Sequence, residues 1–269
     1  MNRYPDSSRL PLRYILPLIG RRPVVEGLTA GDVRAHHDRL IAKPGMVVAV
    51  SGDVDAEAVA RLWEERLSGL ASDAPAPIDV ALEERGPGVR TAHIAKDRAQ
   101  AHLVVGFRGL AVDDPDRHTL EVLSQLLAGQ GGRLFLELRD RQSLAYSVNA
   151  TNVEGVHPGF FAIYIGTAPD KLDTARRGIF DELERLLASP PTADELERAT
   201  RNLAGNFAID LQRNSSLATH MSLDDLYGLG PASYETYADE VLAITREDCL
   251  RVARRVIELD AYTEALVSP

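Results

Sequence analysis

Leu28–Ser51 (LTAGDVRAHHDRLIAKPGMVVAVS) and Ile244–Val267 (ITREDCLRVARRVIELDAYTEALV) align with each other without a gap. Leu28 falls opposite Ile244, Thr29 opposite Thr245, Asp32 opposite Asp248, and Leu40-Ile41 opposite Val256-Ile257, an offset of 216 positions (245 minus 29). Further on, Met46 faces Tyr262, Ala49 faces Ala265 and Val50 faces Leu266. Both copies read as a helix followed by a strand. Thr29 and Thr245 stand where an N-cap belongs, each with an acidic residue three positions on, close to a capping box. Apolar residues then recur at helical spacing: Val33, His36, Leu40, Ile41 in one copy, Cys249, Val252, Val256, Ile257 in the other. A breaker, Pro44-Gly45 or Asp260, precedes a short β-prone run. A period this long constrains the layout. The second copy has room for a whole domain before Pro269, whereas the first has only the end of one before it. We therefore expect one complete domain preceded by the tail of a related one.

The boundary shows in the composition. A helix over Asp55–Leu67, with Val59, Leu62 and Trp63 on one face, gives way to SDAPAPIDVALEERGPG, rich in proline and small residues and without periodicity. The expected layout is 1–70 as the C-terminal part of a first domain, 71–88 as linker and 89–269 as a complete second domain. Within the latter, strands begin at Val89–Ala95 and Ala101–Gly109. Asp113-Asp114-Pro115 opens a helix whose buried face is Leu120, Leu123, Leu126 and Leu127. GQGGR is a glycine-rich turn leading to a short helix and a strand from about Leu144, and Phe160–Ala168 is a further strand. Pro169-Asp170 opens a helix through Leu172, Ala175, Ile179, Leu183 and Leu186. Thr192 and Glu195 form a capping box for a long helix through Leu196, Leu203, Phe207 and Leu211. Strands come early, helices late, and the turns between strands are short. That pattern predicts an α+β fold with a largely antiparallel sheet and helices packed on one side.

Composition excludes several functions. Net charge is -10 and no dense basic stripe exists, so nucleic acid is not an expected partner. No apolar run is long enough to cross a membrane. The first twenty residues carry Arg9, Arg13 and three prolines and lack the form of a signal peptide, so the compartment stays open between cytoplasm and periplasm. The single cysteine, Cys249, rules out an internal disulfide and reads as a small core residue.

Catalytic motifs are scarce. Neither HExxH nor HxxEH occurs, and among histidines 36, 37, 93, 102, 118, 157 and 220 no two are three to five residues apart. His36-His37 are neighbours on a helix, about 100° apart, and cannot share one metal readily. His36 matches Val252 in the other copy, which points to a packed side chain. There is no G-x-S-x-G elbow, and GQGGR lacks the Lys-Ser/Thr of a phosphate loop; it reads as a turn that lets a helix pack close to the sheet. One constellation stands out. Arg139, at the end of the short helix, and Tyr146, early in the next strand, can project to the same side of the corner between them. A guanidinium and a phenol converging there make good donors to a peptide carbonyl whose oxygen becomes negative during hydrolysis. A surface arginine and a half-buried strand tyrosine are the plainer reading.

GQGGRLFLELRDRQSLAYSVNA is similar to the M16 peptidase stretch that runs Gly, two small residues, Arg-Leu, then Leu-Arg, then Leu-Ala-Tyr-Ser-Val. GFFAIYIGTAPDKLDTA resembles the strand and helix that follow it in that family. GRRPVVEGLTAGDVRAHHDRLIAKPGMVVAVSGDVDAEAV resembles the end of its first domain. The resemblance covers most of the chain, in the right order. It implies tandem α+β domains closing like a clamshell on a peptide substrate. It also implies an HxxEH zinc site, with a distant glutamate, in the part of the first domain before Met1. Zinc is then expected in that half or in a partner subunit, with no cofactor in this chain. The family's substrate-holding Arg/Tyr pair lands on Arg139 and Tyr146. The implied partners are a catalytic M16 domain or subunit, in a homo- or heterodimer. Three readings follow: a piece of a zinc endopeptidase inactive alone, a non-catalytic subunit of a heteromeric peptidase, or a purely structural core-type subunit.

Overall fold

The computed structural model describes residues 20–42, 44–73, 86 and 88–269. Most of the expected 71–88 linker and the segment read for a signal peptide lie outside them. The chain divides into two compact units, at positions 84 and 85.

Among its described residues the first unit holds helices α1 (Arg22–Gly27), α2 (Ala30–Leu40) and α3 (Ala56–Arg66). The second begins with strands β1 (Arg90–Ala95) and β2 (Ala101–Arg108) and helix α4 (Arg117–Ala128). A π-helix, Phe135–Arg141, leads to β3 (Ala145–Val153) and β4 (Phe160–Thr167). Then come α5 (Leu172–Ala188), α6 (Ala193–Asp210), α7 (Asn214–Leu226), α8 (Tyr237–Ala243), α9 (Arg246–Val256) and β5 (Thr263–Ser268). The sheet order is β1-β5-β2-β4-β3, antiparallel throughout except for the β1–β5 pair. The fold is α+β, as expected.

One face of the sheet carries the core. Along β2, alternate residues are buried, and Leu103, Val105 and Phe107 face Ile165, Ile163 and Phe161 of β4 directly across the ladder. Such opposed apolar pairs are what pin the register, since a one-residue slip would turn every one of them outward. Leu120, Leu123 and Leu127 of α4, Ile179, Leu183 and Leu186 of α5 and Cys249, Val252 and Val256 of α9 close over this face. Burial in that apolar setting pushes the Cys249 thiol up to about 12, so it is a packed, unreactive side chain.

The two repeat copies match in backbone detail. Both carry complete capping boxes, Thr29 with Asp32 and Thr245 with Asp248, with N-cap φ/ψ of -100/161° and -95/163°. Both helices end on equivalent hydrogen bonds, Ile41 N–H to the His37 carbonyl and Ile257 N–H to that of Ala253. Their surroundings differ. Val256 is 1% exposed and Leu40 47%. His36, read from the sequence as packed, is exposed, whereas its counterpart Val252 is buried. The strand expected after α2 does not form at Met46–Ser51. A strand needs a neighbour to pair with: β5 lies between β1 and β2, while the described residues of the first unit contain no other strand. A smaller departure concerns α4, which starts at Arg117 rather than at Pro115. The Asp114 carboxylate accepts from Asp116 N–H (2.9 Å), and both aspartates are drawn into ion pairs with Arg255 and Arg251 of α9.

Candidate functional site

The site grows out of the glycine-rich turn after α4. A side chain at Gly132 would put its Cβ 2.8 Å from the Leu127 carbonyl, so only glycine lets the chain fold back against the last turn of α4. The close approach is thus to that helix rather than to the sheet. Arg133 then makes a two-pronged ion pair with Glu195 at the start of α6 (2.8 and 2.9 Å). That guanidinium, together with the Thr192 N–H, holds the Glu195 carboxyl down to about 2. Leu134 and Leu138 are fully buried, and Leu138 packs over Gly178 of α5, where a Cβ would come within 2.4 Å of it.

With Leu138 anchored inward, the next residue turns out. Arg139 is exposed, its guanidinium 4.6 Å from the centre of the Phe135 ring, a cation–π contact that keeps the long side chain along the helix. The π-helix closes through the Gln142 N–H on the Glu137 carbonyl (3.1 Å), one residue wider than an α-helical turn. Ser143 then takes a left-handed conformation, φ 51°, which reverses the chain so that Leu144 N–H reaches the Leu138 carbonyl at 2.7 Å. Thr167 donates to the Leu144 carbonyl (2.5 Å) and Lys171 to that of Ser143 (3.1 Å), fixing both sides of the corner.

The following strand opens on a β-bulge. Ala145 pairs with Thr167 and Ser147 with Gly166, leaving Tyr146 as the extra residue between them. A bulge breaks the alternation of the strand and re-aims a side chain. Tyr146 is accordingly 81% exposed, so it is not a half-buried strand residue. Arg139 and Tyr146 both line one open cleft of about 490 Å³, together with Gln100, Ser143, Thr167 and Lys171. Sequence reasoning missed Gln100 and Lys171, which join the cleft from other elements and carry no motif. Two cations face it, Arg139 and Lys171, against one carboxylate, Asp140. The lining can hold and polarise a carbonyl. It offers no histidine or glutamate to activate water.

Zinc does not fit the described residues. Among them no three His, Cys, Asp or Glu side chains come together as a metal site. His37 sits on an exposed helix face, 3.2 Å from Asp38, and among the described residues neither it nor His36 belongs to a group of three metal-ligating side chains.

Residues 27–203 match the family described as the peptidase M16 inactive domain. The chain belongs to the M16 peptidase family. A protein of Streptomyces coelicolor named as an uncharacterized zinc protease is 29% identical over 248 residues, which cover 90% of this chain and 54% of that protein. The chain thus spans about half the length of that relative. Two solved structures share the fold: a protease from Helicobacter pylori (TM-score 0.86, 23% identity, 93% of this chain and 62% of that one). The second is a peptidase M16 inactive domain from Pseudomonas fluorescens (TM-score 0.80, 20% identity, 93% and 60%). No helix of the described M16 chain is long and apolar enough to cross a membrane.

Proposed function

We propose that this M16 chain contributes the substrate-gripping part of a zinc peptidase, with Arg139 and Tyr146 donating to a peptide carbonyl. Hydrolysis depends on an HxxEH-bearing M16 domain, linked to it or on a partner subunit. The observation that carries this reading is the placement of the pair. Each residue is turned outward by a backbone irregularity, a π-helix for Arg139 and a β-bulge for Tyr146, and both line the same cleft. π-Helical turns and bulges disrupt regular hydrogen bonding and are retained chiefly where a side chain must be aimed. In this reading residues 89–269 are a complete M16 domain, 71–88 a linker, and 1–70 the end of a preceding related one.

Two donors aimed at a developing oxyanion lower its energy without themselves breaking the bond. Lys171 adds positive potential at the same place. A second reading, a non-catalytic subunit working with a zinc-bearing chain, uses the cleft identically. A purely structural subunit would not need it. Sequencing the gene upstream of the Met1 codon separates them: an in-frame HxxEH supports the single-chain peptidase, and a degenerate motif supports the partner subunit. Peptide binding by the chain that is unchanged on replacing Arg139 and Tyr146 by alanine overturns the gripping role of the pair, and a chain that binds no peptide favours the structural role.

A further inference from the structure

A second cavity, of about 440 Å³, lies in the second unit away from the Arg139 cleft, among α4, the end of β3, α6, α7 and α8. One wall is aromatic: the Phe207 and Tyr237 rings are 4.1 Å apart, and His118 meets Tyr237 edge-on at 5.0 Å. The other wall is rich in acceptors. Glu121 takes the Tyr237 hydroxyl on one oxygen (2.8 Å), and Glu154 takes the Asn152 amide N–H on one of its own (3.2 Å). Donating that N–H fixes the orientation of the amide, because the reverse would set two oxygens together. The Asn152 Oδ1 is then a buried acceptor, and it has no partner among the described residues. His118 Nδ1 is also buried, but with Nε2 accepting from Arg117 Nε it carries the ring proton and is a donor, 3.6 Å from the other oxygen of Glu121, so it adds no acceptor to the cavity. A buried acceptor left as the Asn152 Oδ1 is uncommon and calls for a donor that completes it.

Charge points the same way. Burial holds the Glu154 carboxyl above its usual range, and Arg117, the nearby cation, only partly offsets this. Two of the Arg117 donors are engaged elsewhere, Nη1–H by the Val112 carbonyl (2.5 Å) and Nε–H by His118 Nε2 (3.2 Å). Two carboxylates and an amide oxygen beside a pair of tilted aromatic rings call for a flat, donor-rich cation. An ammonium is a point charge, whereas a guanidinium offers five planar donors and a face that lies against an aromatic ring. We infer that this cavity binds a guanidinium group, carried by a peptide arginine or by a small free cation.

Isothermal titration of the 269-residue chain tests this with three probes: acetyl-arginine methylamide, agmatine, and acetyl-citrulline methylamide, which has the arginine shape without the charge. The arginine amide should bind, and the citrulline compound should bind on the order of tenfold more weakly or worse. Glu154→Gln and, independently, Glu121→Gln should each weaken arginine binding by about tenfold, so one misfolded variant does not decide the outcome. Agmatine binding as well shows that a free cation suffices; binding of the amide alone assigns the site to a peptide arginine. No binding by either, or equal binding of the citrulline compound, overturns the proposal and leaves a water-filled cavity.

Discussion

Replacing Glu195 by Gln removes one charge from the tie that holds the glycine-rich turn against α6, while keeping the size of the side chain and its role in the capping box. The magnitude follows from the geometry. Arg133 and the Thr192 N–H hold the carboxyl at about 2 against an ordinary 4.5. At about 1.4 kcal/mol per unit the full gap is worth about 3 kcal/mol. The side chain is 21% exposed, and solvent screening reduces that to about 1–2 kcal/mol. The sign is fixed by the direction of the shift. A depressed carboxyl stabilises the folded state above its unfolded value of 4.5, and the contribution fades as pH falls toward 2. Urea unfolding followed by far-ultraviolet circular dichroism should show the native chain more stable than Glu195→Gln at neutral pH, with the difference shrinking between those limits. The single tryptophan, Trp63, belongs to the first unit, so its fluorescence reports that unit separately. Other carboxylates are depressed too, Asp116 and Asp248 among them, but they titrate in both proteins and drop out of the difference. A gap between the two proteins that stays constant across the acid range would refute the reasoning.

Equivalent positions of the repeat should respond unequally: Val256→Ala should cost about 2 kcal/mol by leaving a core void, while Leu40→Ala should cost under about 0.5 kcal/mol, read from denaturant midpoints. Gly132→Ala should destabilise the second unit by about 1–3 kcal/mol, because the Cβ meets backbone that cannot step aside; unchanged melting would contradict the close approach. The isolated chain should hydrolyse no peptide and retain no stoichiometric zinc after dialysis, checked by metal analysis and a fluorogenic peptide; one tightly held zinc per chain would reveal a ligand set that the described residues do not form.

Much of the fold was legible because its signals are local. Capping at Thr29, Thr192 and Thr245 and the apolar faces of α4, α5 and α9 depend on residues within a few turns of each other. The repeat was legible for the same reason, but the fate of its first strand was not, since strand formation depends on a neighbour rather than on β propensity alone. At the cleft, the sequence pointed to Arg139 and Tyr146. It could not show that a π-helix and a bulge aim them, because one extra residue in a turn or ladder leaves no periodic trace. Gln100 and Lys171 come from positions far apart in the chain and meet there only through the pairing of β2 with β4 and of β4 with β3. The guanidinium cavity was invisible for the same reason: Glu121, Asn152, Phe207 and Tyr237 share no motif.

In the proposed function, Arg139 and Tyr146 grip a substrate carbonyl. Tyr146→Phe tests it most directly, since the ring stays and only the hydroxyl is lost. Tyr146 is 81% exposed and its hydroxyl makes no hydrogen bond among the described residues, so the melting temperature should not move. The decisive quantity is kcat of the complex reconstituted with a zinc-bearing M16 domain. Losing one donor to a developing oxyanion typically lowers kcat on the order of 10²–10³-fold, and a fall of that size in the Phe variant at unchanged stability is the result expected here. Turnover equal to that of the unaltered complex would show that the hydroxyl does not contact the reacting carbonyl, and the gripping role would have to be abandoned.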